Sequence, residues 1–311
     1  MQKQKFCKGY GPNVVVQSDS SGMQHCRKTD CFKQFFHRNF SYFENHLEKS
    51  VNLYIIILYK RCLKNDKPLP EYISIAVAYD MMISGKDSEA VSVLRLWKAQ
   101  NIRDFDMKTF SQGDYIRSMQ EDNEADLISK VLYPSDNHFE GKSLRLKQQY
   151  FLVSASIQNI INDHIKRYKD LHTLPDKVAI HINDTHPALC IPELMRILID
   201  DYCYDWDKAW NTVINTVSYT NHTVMPEALE CWPEDLFKRL LPRIYGITKE
   251  IDNRYRAHIW SLTGDAGKVE EMAVISGDES IIRMANLCVA VCHKVNGVSA
   301  LHSQILKDSV F

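Results

Sequence analysis

Three short polar clusters hold the side chains best suited to chemistry: Asp136-Asn137-His138, Asn183-Asp184 with His186, and Asn221-His222. Carboxylates, carboxamides and imidazoles donate and accept hydrogen bonds in the ways that sugar hydroxyls require, so these types in this density suit recognition of a neutral polyhydroxy ligand. A plainer reading stays open. Asn183 and Asp184 serve equally as helix N-caps, Asp136 and Asn137 as turn formers, and the histidines as satisfied surface groups. No metal site is expected: His181, Asp184 and His186 lack the i, i+4 spacing of a helical zinc site, and Cys26, Cys31 and His37 have no standard ligand spacing. The chain contains no G-x-G-x-x-G, no G-x-x-x-x-G-K-[ST] and no G-x-S-x-G, which removes the dinucleotide cradle, the P-loop and the nucleophile elbow.

The elements that must position these residues follow from apolar periodicity. Lys177–Ile182 reads as a buried strand, NDTHPALC as a turn, and IPELMRILIDD as a helix with Pro192 in its first turn. Thr212–Thr220 reads as a second strand, NHTV as its exit, and MPEALECW as the start of a helix. A third unit is possible where MANLCVAVCHKVNGVS precedes ALHSQILKDSV, although the first part of that stretch suits a helix equally. Strand, polar turn and helix in repetition predict an α/β fold with a mainly parallel sheet and helices on both faces. In such a sheet ligands sit beyond the carboxyl ends of the strands, and that rule selects Asn183, Asp184, His186, Asn221 and His222. Upstream, Ile73–Tyr79 and Glu89–Trp97 read as strands, Gly113–Tyr133 and Leu144–Ile161 as helices, and 133–142 as a loop.

Composition limits the partners. With 38 Lys and Arg against 39 Asp and Glu in 311 residues, the chain has no field to gather nucleic acid or an anionic membrane. The most apolar run, Val51–Tyr59, is nine residues where a membrane helix needs about 20, so it reads as a buried strand or helix segment. Nine cysteines, odd in number and without C-x-x-C pairs, and an N-terminus without a signal-peptide pattern suit a reducing, cytoplasmic setting. Residues 1–66 lack a sustained apolar period; from about residue 67 the chain alternates apolar runs with charged helical stretches, which sets an expected boundary at the turn-forming cluster Lys64–Pro68.

From about Tyr72 to Phe311 the chain resembles the α-1,4-glucan (glycogen and maltodextrin) phosphorylases, with wording closer to the bacterial type. The resemblance rests on VSVLRLWKA (91–99), SKVLYPSDNHFEGKSLRLKQQYF (129–151), KVAIHINDTHPALCIPELMRIL (177–198), YTNHTVMPEALECW (219–232) and VNGVSALHSQILK (295–307). It implies a two-domain fold of the GT-B type, of which residues 67–311 are part of the N-terminal catalytic domain, and a glycosyltransferase that phosphorolyses terminal α-1,4 bonds to glucose 1-phosphate. It also implies a homodimer, through a helix spanning Asp114–Leu132. Carried over by motif, His222, Asp184 and Asn137 take catalytic places. Asn137 binds a glucose hydroxyl beside Asp136, the His222 carbonyl faces the developing oxocarbenium, Asp184 supports it, and His186, Arg145 and Glu230 line the adjoining pocket. The family's cofactor is pyridoxal 5′-phosphate. Its lysine segment, resembling S-G-T-G-N-M-K-F, is not found in this sequence, so the expectation is a truncated chain without the cofactor domain, itself inactive. The alternative is a non-catalytic remnant that binds glucan or dimerises. Where animal members carry adjacent arginines for AMP, QNII is followed here by Asn162 and Asp163, implying loss of that allosteric site.

Overall fold

The computed structural model describes residues 53–60, 69–87, 89–101 and 105–309; the Cys26, Cys31 and His37 cluster, the 64–68 turn and most of the 1–66 segment lie outside the described residues. The chain divides into two units, 1–52 and 53–311. The second begins with an antiparallel sheet of order β1-β2-β3, formed by β1 (Leu53–Lys60), β2 (Leu69–Ser84) and β3 (Val91–Asn101). β-Branched residues throughout these runs favour the pleated conformation. Leu53 lies opposite Val77, and Ser74 opposite Asn101, so the sheet is continuous across the change in composition at residue 66.

Helices α1 (Met107–Ser111), α2 (Tyr115–Ser118) and α3 (Gln120–Lys130) follow. One helix over 113–133 is the expectation from sequence, and the structure breaks it at Met119 and ends it at Lys130. Asp114 caps α2 by accepting from the Arg117 amide at 3.1 Å, while Ser118 Oγ donates to the Tyr115 carbonyl and ends that turn. Local side-chain bonds of this kind compete with a continuous helix.

Helix α4 (Phe139–Tyr168) is the longest element among the described residues. Leu146, Tyr150, Val153, Ile157 and Ile161 recur at three- and four-residue steps and are buried, which fixes the face it turns inward. Glu140 near its start and Lys166 and Arg167 near its end complement the helix dipole.

Beyond α5 (Leu174–Lys177), β4 (Ile180–Asn183) leads to α6 (Cys190–Arg196), which runs on as a π turn to Asp201; α7 (Trp206–Ile214) leads to β5 (Val217–Asn221). The expected strand over 212–220 is therefore helical up to Ile214. Asp205 caps α7 by accepting from the Lys208 amide at 2.8 Å, and Ala209, Thr212 and Val213 face the core, so a capped amphipathic turn outweighs the β-branched run. The chain continues through β6 (Cys231–Pro233), α8 (Glu234–Leu240), α9 (Pro242–Thr263), α10 (Ala266–Met272), β7 (Ile275–Ser276), β8 (Ile281–Arg283), α11 (Met284–Val291), β9 (Val295–Gly297) and α12 (Ala300–Ser309). The helix expected from Met225 is instead a single 3-10 turn at 226–228 followed by β6. Pairing of Cys231 with Arg283 and of Trp232 with Ile282 captures that segment, and the helix is displaced to residue 234.

The parallel sheet is β4-β5-β9, with Ile182 beside Tyr219 and Tyr219 beside Val295; the third sheet, β6-β8-β7, is antiparallel. Parallel pairing thus involves three of the nine strands among the described residues, narrower than the mainly parallel sheet expected. Helix α11 packs on β5 and α12 on β9. Beneath the sheet, Glu193 is fully buried yet accepts from Tyr150 Oη (3.0 Å), Ser154 Oγ (2.7 Å) and both Nε and Nη2 of Arg196, tying α4 to α6 with every carboxylate oxygen satisfied.

Candidate functional site

The carboxyl ends of β4, β5 and β9 carry Asn183-Asp184-Thr185-His186, Asn221-His222-Thr223 and Gly297-Val298-Ser299. Asp184 sits at φ 61°, in the left-handed region that Asp tolerates better than most residues, and its amide donates to the Thr220 carbonyl at 2.8 Å. Its side chain is anchored on both oxygens: Oδ1 accepts from the Thr185 amide at 2.9 Å, and Oδ2 from Thr223 Oγ1 at 3.5 Å. The His186 ring stands 4.0 Å from Asp184 Oδ2 and meets Tyr133 edge to face. Tyr133 is also left-handed, at φ 57°. Two side-chain-bearing residues held in that region within one cluster store about 1–3 kcal/mol each, a pattern concentrated at functional sites.

Tyr133 in turn lies beneath the Arg145 guanidinium, 5.9 Å from ring centroid to Cζ. Arg145 Nη1 donates to Asp136 at 2.7 Å, and its Nη2 reaches Glu230 Oε1 at 3.4 Å; Gln149 Nε2 donates to the same oxygen at 2.7 Å. Because residues 145 and 149 are one helical step apart on α4, they share a face, and that spacing was the signal by which Gln149 could have been found. The loop bearing Asp136 is held by Gly141. A Cβ there would lie 1.7 Å from the Ser135 carbonyl oxygen, so only glycine allows the loop to close on the helix, where the Gly141 amide donates to His138 Nδ1 at 3.0 Å.

The structure therefore brings Asp136, Arg145 and Glu230 into one ion-pair cluster and sets the His186 ring beside Asp184, with Tyr133 between the two groups. Asn137 and His222 belong to the same loops but are exposed, and among the described residues no hydrogen bond ties either side chain down. Sequence reasoning missed Tyr133, Gln149 and Thr223, and it treated His181 only as a metal candidate. His181 Nε2 instead pairs with Thr220 Oγ1 at 2.7 Å, which donates to Asn296 Oδ1 at 3.0 Å, linking β4, β5 and β9 across their ends. Asn221 is fully buried; its Nδ2 donates to Tyr219 Oη, leaving Oδ1 unpartnered. Burial raises the Tyr219 phenol, so it stays a neutral acceptor here. Cys288, under the same strands, is likewise pushed well up by burial and then by Cys292, which makes it a poor nucleophile.

Such a site can hold and orient hydroxyls and place carboxylates near developing positive charge. For a phosphorylated aldehyde cofactor the donor set does not fit. The three strand ends and the 133–138 loop contain no lysine amine to form an imine, and the Arg145 guanidinium is already shared between two carboxylates.

Fold and site together define an α/β chain with polar and charged side chains gathered at and beside the carboxyl ends of parallel strands. More specifically, residues 45–311 match the family model of the carbohydrate phosphorylases, and the chain belongs to that family. It is 48% identical over 257 residues to the brain form of glycogen phosphorylase of Rattus norvegicus, covering 78% of this chain and 30% of that protein. For the human brain form the figures are 48% over 259 residues, 79% and 30%; for the human muscle form, 46% over 251 residues, 76% and 29%. The chain thus spans about 30% of the length of the curated relatives it matches.

Proposed function

We propose that the protein is an α-1,4-glucan phosphorylase component, in which residues 67–311 form part of an N-terminal catalytic domain and supply the wall of the cleft that holds the sugar. The observation that carries this reading is that Asp184 and His186, at the strand ends, are joined through Tyr133 to the Asp136, Arg145 and Glu230 cluster, in a chain that belongs to the carbohydrate phosphorylase family. In this role Asn137, free at the tip of a loop pinned by Gly141, bonds a glucose hydroxyl. His222 presents its backbone carbonyl to the sugar carbon as positive charge develops, while Asp184 fixes the turn between Thr185 and Thr223. Arg145 and Glu230 keep Asp136 in place beside them. The complete reaction, glucan and phosphate giving glucose 1-phosphate, belongs to a two-domain GT-B arrangement with helices on both faces of a mainly parallel sheet, working as a cytoplasmic homodimer. Pyridoxal 5′-phosphate, anchored on a lysine that this chain does not offer at the strand ends, would supply acid/base chemistry through its phosphate. AMP would not stimulate such an enzyme, because Asp163, 4.0 Å from Lys166, stands where a phosphate would need a bidentate arginine.

A second reading, a non-catalytic glucan-binding or dimerising protein, is favoured by one observation: among the described residues no lysine or arginine at the strand ends stands ready to clamp a phosphate. One experiment separates the two. The purified chain is titrated with maltoheptaose by NMR and assayed with phosphate and pyridoxal phosphate for glucose 1-phosphate. Weak glucan binding, lost in Asp184→Ala, supports the sugar-holding wall. Glucose 1-phosphate together with a borohydride-fixable pyridoxal adduct would rule out the non-catalytic reading, and absence of glucan binding would sink the sugar-holding wall and leave only the dimerising form of the second reading.

A further inference from the structure

A groove of about 470 Å³ opens beside the cluster just described, between the 227–231 segment, α9, α10 and α11. Its charged lining is four carboxylates, Glu227, Glu230, Glu271 and Glu279, against one guanidinium, Arg283. That guanidinium is largely spent elsewhere. Nη1 donates to the carbonyls of Glu270 and Glu271 at 3.0 and 3.1 Å, and Nη2 stands 3.8 Å from Glu279. Glu230 is the informative member. Its side chain is only 10% exposed, Oε1 is taken by Arg145 and Gln149, and Oε2 is buried with no partner among the described residues. A buried, unpaired carboxylate oxygen is costly unless a donor arrives to satisfy it. The remaining wall is mostly hydrocarbon from Leu229, Met272, Ile281 and Val289, with the Cys231 thiol, the Asn286 carboxamide, whose Nδ2 donates to the Glu271 and Ala273 carbonyls, and the half-buried Tyr255 ring alongside.

Excess negative charge, one orphaned acceptor and an apolar wall with an aromatic ring together select a particular ligand chemistry. We propose that this groove is a binding site for a small organic cation, an ammonium or guanidinium on an aliphatic stem. The nitrogen head donates to Glu230 Oε2 and lies within the field of Glu227 and Glu271, and the stem covers Met272 and Val289. Occupancy is felt at the cluster above, since the same carboxylate holds Arg145.

The test is a titration of the full chain with hexylammonium at low ionic strength, followed by NMR of the Met272 methyl and the Tyr255 ring, with neutral hexanol as control. Saturable binding with a Kd of about 1 mM or tighter is expected, with hexanol at least about tenfold weaker. Glu227→Gln/Glu271→Gln changes two exposed carboxylates and leaves the fold intact; it should weaken hexylammonium about tenfold and leave hexanol unchanged. Val289→Phe, which fills the groove, should abolish both. Equal binding of hexanol, indifference to the double substitution, or no saturation by about 10 mM hexylammonium overturns the proposal.

Discussion

At the residue scale, the arrangement around Arg145 makes two demands that substitutions can separate. Arg145 compensates Glu230, whose side chain is 10% exposed, so removing the guanidinium leaves a nearly buried carboxylate held by Gln149 alone. Arg145→Ala should therefore cost about 2 kcal/mol, below the value for a fully buried pair because the arginine itself is 22% exposed. Arg145→Lys should recover less than half of that loss, since a point charge cannot bridge Asp136 and Glu230 together. Urea unfolding midpoints check both, and a lysine variant as stable as the parent would mean the fork geometry is irrelevant. Gly141 sets the second demand. Its Cβ position collides with a backbone carbonyl, not a flexible side chain, so Gly141→Ala must displace the Ser135–His138 loop. The expected cost is about 1–3 kcal/mol, together with loss of maltoheptaose contacts at Asn137, read as altered amide shifts in that loop.

At the element scale, the α4–α6 contact is organised by Glu193, and its oxygens are bonded by Arg196, Tyr150 and Ser154. Arg196→Met should destabilise by about 3 kcal/mol because it strands a fully buried carboxylate. Glu193→Leu/Arg196→Met should cost clearly less than the sum of the single changes, since it removes both charges at once. A double-mutant cycle by urea denaturation checks this, and simple additivity would contradict the coupling. Nothing in the sequence announced the network: Glu193 reads as an ordinary first-turn acid of a helix. What could be read was the order of strand, turn and helix around 177–201, because β4 and α6 are each short, apolar and bounded by their own turn residues. Residues 212–214 and 225–233 misled for a physical reason. Their β-branched and apolar side chains fit strand or helix alike, and partners far along the chain decided between them: Asp205 as cap for the first, β8 as pairing strand for the second. The same holds for the site. Asp184 and His186 were legible as residues that leave a strand, and Asp136 as part of a loop. Tyr133 and Gln149 were not, because their places depend on how α4 lies against the strand ends.

At the scale of the whole molecule, burial of weak acids shapes the response to pH. Tyr150 is raised well above the ordinary tyrosine value by burial and then by the Glu193 charge, Tyr219 is raised by burial, and Tyr245 is pushed up to about 12 by burial and its bond to Glu234. Cys190 and Cys288, in the core below the parallel strands, are raised for the same first reason. All five favour the neutral form in the folded protein more strongly than in the unfolded chain. Their contribution to stability is complete below the unfolded values, about pH 9 for thiols and pH 10 for phenols, and is lost as pH climbs through the higher folded values. Unfolding free energy should therefore hold steady near neutrality and fall increasingly above about pH 9. Tyr150→Phe isolates one part of that fall. It loses the hydrogen bond to Glu193, about 1–2 kcal/mol at pH 8, but it has no phenol to ionise when unfolded, so its curve should decline less steeply than the parent's between about pH 10 and 11. Parallel urea titrations at pH 8 and above pH 10 decide the matter. If parent and variant decline with the same slope, Tyr150 ionises as readily in the folded protein as in the unfolded chain, and the buried network joining α4 to α6 does not exclude water as the structure requires.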